Sequence, residues 1–255
     1  MKVLAIGDVI GKPGRRALAS VLPRIRQQHA VDYVVVNGEN LAGGLGTTQS
    51  TLQEVYAAGA DVVTSGNHVW HHKEIYAALE NEEPIIRPLN YPPAAPGKGF
   101  YLIGGLLVVN LIGRTFMSNY DCPFRTMDAL LSDLPEGTNA IVVDFHAEAT
   151  SEKVALGRYL DGRVAAVLGT HTHVGTIDSR ILPRGTAYVT DIGMTGPIES
   201  VIGDDIHMVI ERFLTQIPER LSVGKGPVEF NGMVVTIDDD SGMATDLLRV
   251  RETVA

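Results

Sequence analysis

Asp8, Glu39, Asn40, Asn67, His68, His146, His171 and His173 are the residues of this 255-residue chain whose types and spacing could do chemistry. They fall in short segments: Gly7-Asp8, Asn37-Gly38-Glu39-Asn40, Gly66-Asn67-His68, Asp144-Phe145-His146, His171 and His173. Most follow a short apolar run of the kind that forms a buried strand. Carboxylate, amide and imidazole donors delivered from several strand ends suit a pair of hard-to-borderline cations. Two such cations close together clamp a phosphate and activate a water. The pattern points to phosphoester hydrolysis.

Each segment also has a plainer reading. Asp8 could cap a following helix, but Pro13, where a helix could begin, lies five residues further on. Asn37-Gly38 is a common turn pair, although Glu39 can span two cations and Asn40 offers a neutral carbonyl oxygen. Asn67 can ligate through its carbonyl, and His68 could ligate or deliver a proton near neutral pH. A lone His after a strand, such as His146, is more often structural. His171-Thr172-His173, bracketed by Gly169 and Gly175, is the strongest local signal. Extended backbone would send its two rings to opposite faces, so both reach one site only from a bent loop.

The remaining candidates carry less. His71 and His72 belong beside the site or in solvent, His29 and His207 are structural, and Arg114 either touches phosphate or lies on the surface. Gly7-x-x-x-Gly11-Lys12 is like a phosphate-binding loop, but the spacing is one short and Pro13 replaces the Ser or Thr. No Gly-x-Ser-x-Gly elbow occurs. Cys122 is the single cysteine, which excludes an internal disulfide and zinc-finger spacing, and is expected to be a small buried residue.

Positioning these groups calls for alternating strands and helices. Val3–Ile6, Tyr33–Val36 and Asp61–Thr64 are expected strands. Between and after them come helices from Pro13, over Thr48–Ala58 to a stop at Gly59, and over Lys73–Glu80. Pro23 predicts a kink or an early stop in the first helix. Gly104-Gly105 predicts a hairpin between Phe100–Ile103 and Leu106–Leu111. Further strands are expected at Ala140–Asp144, Ala165–Leu168, Thr186–Thr190 and Val228–Ile237, the last pairing Leu247–Val250. Helices are expected at Thr126–Leu134, Ser151–Tyr159 and Asp204–Leu214, with Arg114–Phe124 irregular. So many strands exceed one covered sheet, and two sheets with helices outside follow. The class is α/β, in one domain over 1–255, and no helix offers an apolar face clear enough to imply assembly.

Composition is that of an ordinary soluble domain, with 45% hydrophobic and 20% charged residues. The net charge of −9 disfavours duplex nucleic acid, while bound cations could still accept a small phosphorylated substrate. No apolar run is long enough for a membrane span. The lone cysteine and the absence of a leader-like start lead to a cytoplasmic expectation.

Taken in order, Asp, Glu-Asn, Gly-Asn-His, His and His-x-His resemble the calcineurin-like metallophosphoesterases. Two departures are Ile10, where that superfamily's first motif has a His, and Asn37-Gly38-Glu39-Asn40, where its second has an Asp. With Gly7-Asp8-Val9-Ile10-Gly11 and the string Asp144–Lys153, they make the chain similar to the YmdB-like branch over nearly its whole length. The resemblance implies a four-layer α-β-β-α sandwich and two metal ions, iron and/or manganese. Asp8, Asn40 and His173 would hold one cation, Asn67, His146 and His171 the other, and Glu39 would bridge them. His68 would be the acid. It further implies a homo-oligomer that hydrolyses cyclic nucleotides, 2′,3′-cyclic forms and 3′,5′-cyclic AMP among them, by attack of a metal-bridging hydroxide. A broad phosphomonoesterase or protein phosphatase, or a nucleotide-binding regulator with little turnover, are the alternatives.

Overall fold

In the computed structural model, which describes residues 1–81 and 83–254, strand alternation sorts the apolar residues into three layers. Strand β1 (Lys2–Ile6) sends Val3 and Ala5 into one layer and Leu4 and Ile6 into another. Strands β2 (Tyr33–Asn37) and β3 (Val62–Thr64) pair parallel beside it. The C-terminal strand β11 (Val228–Ile237) pairs antiparallel with β1 and with β12 (Ala244–Val254). The two-residue β10 (Gly196–Pro197) completes this sheet.

The second sheet starts from the hairpin β4 (Phe100–Ile103) and β5 (Leu106–Ile112), turned through Gly104-Gly105, where both glycines have positive φ. Parallel β6 (Ala140–His146), β7 (Ala166–Thr170) and β9 (Ala187–Val189) follow, with β8 (Arg180–Ile181) at the edge. Val3, Val35 and Val62 of one sheet pack on Val108, Val142 and Leu168 of the other. Outside the first sheet lie α1 (Gly11–His29), α2 (Gln49–Ala58) and α3 (Ile75–Glu80), which bury Leu18, Leu52 and Ile75. Outside the second lie α4 (Pro123–Ser132) and α5 (Thr150–Leu160), which bury Met127 and Leu156. The result is the expected α-β-β-α sandwich. Among the described residues no helix is long and apolar enough to cross a membrane.

Helix α1 does not stop at Pro23 but continues to His29. Pro23 and Ala19, whose carbonyl loses its partner, both face solvent. Leu18, Leu22 and Ile25 are buried on the other face. Burying each contributes about 1.5–3 kcal/mol, enough to offset a cost of ~3 kcal/mol for proline. Helix α4 begins at Pro123, earlier than expected, because proline suits the first turn. Strand β6 runs on through His146, so that ring sits on a strand and not after one. Cys122 is half-buried, at the start of α4. Helix α6 (Ile206–Thr215) exposes Ile210, Phe213 and Leu214, an apolar face the sequence pattern did not make clear.

Candidate metal centre

The C-terminal ends of β1, β2, β3, β6 and β7 deliver all of the sequence-expected site residues to one place. Open α/β sheets place ligands at such strand ends. Asp8 follows β1, Glu39 and Asn40 follow β2, and Asn67 and His68 follow β3. His146 ends β6, while His171 and His173 follow β7. Asp8, Glu39, Asn40 and His146 are almost wholly buried. His171 (φ 96°) and His173 (φ 66°) both adopt left-handed backbone. For residues other than glycine this costs energy that the surrounding structure must hold, and it bends the loop enough for both rings to enter one cleft.

Two donor groups form, and they share Glu39. Glu39, His146 and His171 make one, and Asp8, Glu39 and His173 the other, each with its donor atoms within 4.8 Å of one another. His146 Nε2 lies 3.1 Å from Glu39 Oε2, 3.0 Å from Asn67 Oδ1 and 3.0 Å from His171 Nδ1. His173 Nε2 lies 3.7 Å from Asp8 Oδ1 and 3.2 Å from the amide nitrogen of Asn40. Gly66 has no side chain for a steric reason: a Cβ there would overlap Glu39 Oε2 and His146 Nε2.

The outer nitrogens of the rings have their own partners, which selects the inner ones for ligation. His146 Nδ1 meets Thr170 Oγ1 at 3.0 Å, and Thr170 donates in turn to Asp144 Oδ1 at 2.7 Å. His171 Nε2 lies 3.0 Å from Glu148 Oε2. His173 Nδ1 donates to the Ile202 carbonyl at 2.7 Å. His68, a third exposed, donates from Nδ1 to Asn40 Oδ1 at 2.9 Å and lies 3.5 Å from Glu39 Oε1.

Behind the loop, Asp191 receives Lys153 Nζ at 2.7 Å, Thr172 N–H at 3.1 Å and Gly193 N–H at 2.9 Å. Lys153 also donates to the Thr170 carbonyl at 2.6 Å. Asp144 accepts from Asn37, Thr64 and Thr170, so the core between the sheets ends in a polar plug beneath His146. Glu148, Lys153 and Asp191 were not picked out in the sequence for these tasks. The signal was present for Asp191, which follows the apolar run Ala187-Tyr188-Val189 as the other site residues follow theirs.

Burial raises the Asp8 carboxyl, against the pull of His173 and His146. Burial would raise Glu39 too, but His146, His68 and His171 together hold it well below the usual carboxylate range. Burial alone would lower His146, yet Glu39 and Asp8 raise it to about 9. Burial and then His146 push His171 down to about 3. Burial lifts Asp144 to about 6 despite His146 and its hydroxyl and amide donors. The cluster is negative enough to keep one imidazole charged well above neutrality, which is the electrostatics of a cation site. Asp8 Oδ1 adds a second sign: it is buried and has no hydrogen-bond partner among the described residues. A buried carboxylate oxygen left so is costly, and a cation is the partner that removes the cost. The donor set therefore fits metal ions.

The other candidates lie outside this cluster. His72 Nε2 meets the Leu45 carbonyl at 3.1 Å, and His71 is exposed against its ring. Arg114 is exposed, and its backbone N–H donates to Glu152.

Known proteins share this arrangement's frame. The family model of YmdB-like proteins matches residues 4–250. A 2′,3′-cyclic-nucleotide 2′-phosphodiesterase of Bacillus subtilis (strain 168) is 44% identical over 254 residues, 98% of this chain and 96% of the relative. A crystal structure of a hypothetical protein from Thermus thermophilus has TM-score 0.93 and 46% identity, covering 99% of both chains. That of a novel phosphatase from Mycoplasma pneumoniae has TM-score 0.93 and 32% identity, covering 99% of this chain and 93% of the other.

Proposed function

The chain belongs to the YmdB-like family and is a metallophosphoesterase, and from that premise we propose that it hydrolyses 2′,3′-cyclic nucleotides at the shared-Glu39 centre. The observation that carries the reading is the pair of donor groups meeting at one buried carboxylate. In it, Asp8, Asn40 and His173 hold one cation, Asn67, His146 and His171 the other, and Glu39 both. For Asn40 this requires its carbonyl oxygen to face the ion. When bound, the ions supply Lewis acidity at the phosphoryl oxygens and lower the pKa of a water. Oxygen donors with few imidazoles per ion favour iron or manganese over zinc.

The chain's own proton chemistry falls to His68. With the Asn40 carbonyl turned to the ion, the Asn40 atom 2.9 Å from His68 Nδ1 is the amide nitrogen, which donates to Nδ1 and leaves the ring proton on Nε2, the nitrogen that gives it to the departing sugar oxygen. A sugar alkoxide is a poor leaving group without that proton. Water oxygen joins phosphorus, the bond to O2′ breaks, and a 3′-phosphate monoester leaves. The same site would accept 3′,5′-cyclic AMP if its ring fits. One domain over 1–255, a cytoplasmic setting and a homo-oligomer complete the reading. The single cysteine supports the setting, and the exposed Phe213 and Leu214 of α6 support assembly.

Metal analysis paired with a substrate panel tests this. After chelation, added manganese or iron should restore hydrolysis of 2′,3′-cyclic nucleotides, with two ions bound per chain. Turnover of simple monoesters alone would favour a phosphatase instead. Tight nucleotide binding without turnover would favour a regulator.

A further inference from the structure

We propose that the nucleoside half of the substrate docks in the cleft between the Ala42–Leu45 loop, His71–His72 and the Arg212–Arg220 wall. The proposal rests on the cyclic-nucleotide reading above and adds where the base and ribose go. The cleft holds about 510 Å³, within the range of small-molecule sites.

Two of its walls continue segments that carry the metal centre, and the third is linked to it through Ile202. Ala42 comes two residues after Asn40, and His71 three after His68, whose carbonyl accepts the His71 N–H at 3.0 Å. Asp204 comes two residues after Ile202, the carbonyl partner of His173 Nδ1. A molecule with phosphate at the metals therefore has this cleft beside it.

The lining matches a nucleoside. Gly43 and Gly44, both at positive φ, leave the middle of the loop without side chains. A Cβ on Gly43 would meet nothing within 4 Å, so the backbone there borders open space. Two imidazoles in edge-to-face contact, with ring centroids 4.7 Å apart, stand on the second wall. Imidazole and guanidinium planes are surfaces on which bases stack. Arg212 and Arg220 form no ion pair among the described residues, and Asp204 offers an acceptor for base or ribose hydroxyl donors.

Steady-state kinetics of Arg212→Ala and His71→Ala test this, with 2′,3′-cyclic AMP and bis(p-nitrophenyl) phosphate as paired substrates and manganese added. The aryl diester has no nucleoside to dock. In each variant the ratio of kcat/KM for the cyclic nucleotide to that for the aryl diester should fall about tenfold, mostly through KM. An unchanged ratio in both variants overturns the proposal while leaving the cyclic-nucleotide reading intact. A wild-type enzyme that cleaves the aryl diester but no cyclic nucleotide overturns both.

Discussion

At the scale of single residues, His68 and Lys153 do opposite kinds of work. His68 is partly exposed, and its side chain is tethered through Asn40 and Glu39, so His68→Ala should keep both metals and lose turnover by about 10²–10⁴-fold. Metal loss in that variant, read by elemental analysis, would make His68 a ligand instead. Lys153 is buried against Asp191. Lys153→Met leaves that carboxylate uncompensated and should cost about 3–5 kcal/mol in denaturant unfolding. The ligand types were legible in the sequence because strand-end carboxylates, amides and imidazoles are rare together. Glu148 was not, since a single acidic residue has no pattern until the fold sets a partner beside it, whereas Asp191 shared the strand-end signal and was passed over.

At the scale of elements, local chemistry was legible wherever it was strong. Gly104-Gly105 marked the hairpin, Thr48 and Gly59 bound α2 as its caps, and β11 spans the expected Val228–Ile237. The two-residue β8 and β10 have no period to detect. The early stop expected at Pro23 does not occur, because a local rule cannot see which face of α1 is buried. The helix tolerates Pro23 at a cost, so Pro23→Ala should stabilise the protein by about 1–3 kcal/mol in thermal or denaturant melts. An unchanged midpoint would mean the solvent-facing carbonyl of Ala19 loses nothing.

At the scale of the molecule, two sheets were countable from the number of strands, but their order was not. The placement of β11 between β1 and β12 depends on pairing across most of the chain, which no window of sequence contains. Two expectations belong here. Chelation should lower the melting temperature, and returning manganese or iron should restore it, because ions bound only by the folded state stabilise it by mass action. If α6 is the assembly face, Leu214→Glu, at a side chain 80% exposed, should yield a smaller species in light scattering without loss of helicity.

Each proposed ion takes donors from both sheets: Asp8 and Asn40 with His173 for one, Asn67 with His146 and His171 for the other. Bound there, the ions are rivets through the seam of the sandwich, and the distance between them is gauged by how the sheets seat. Substitutions at Ala5 or Ala166, deep in that seam, would then retune the chemistry without touching any ligand.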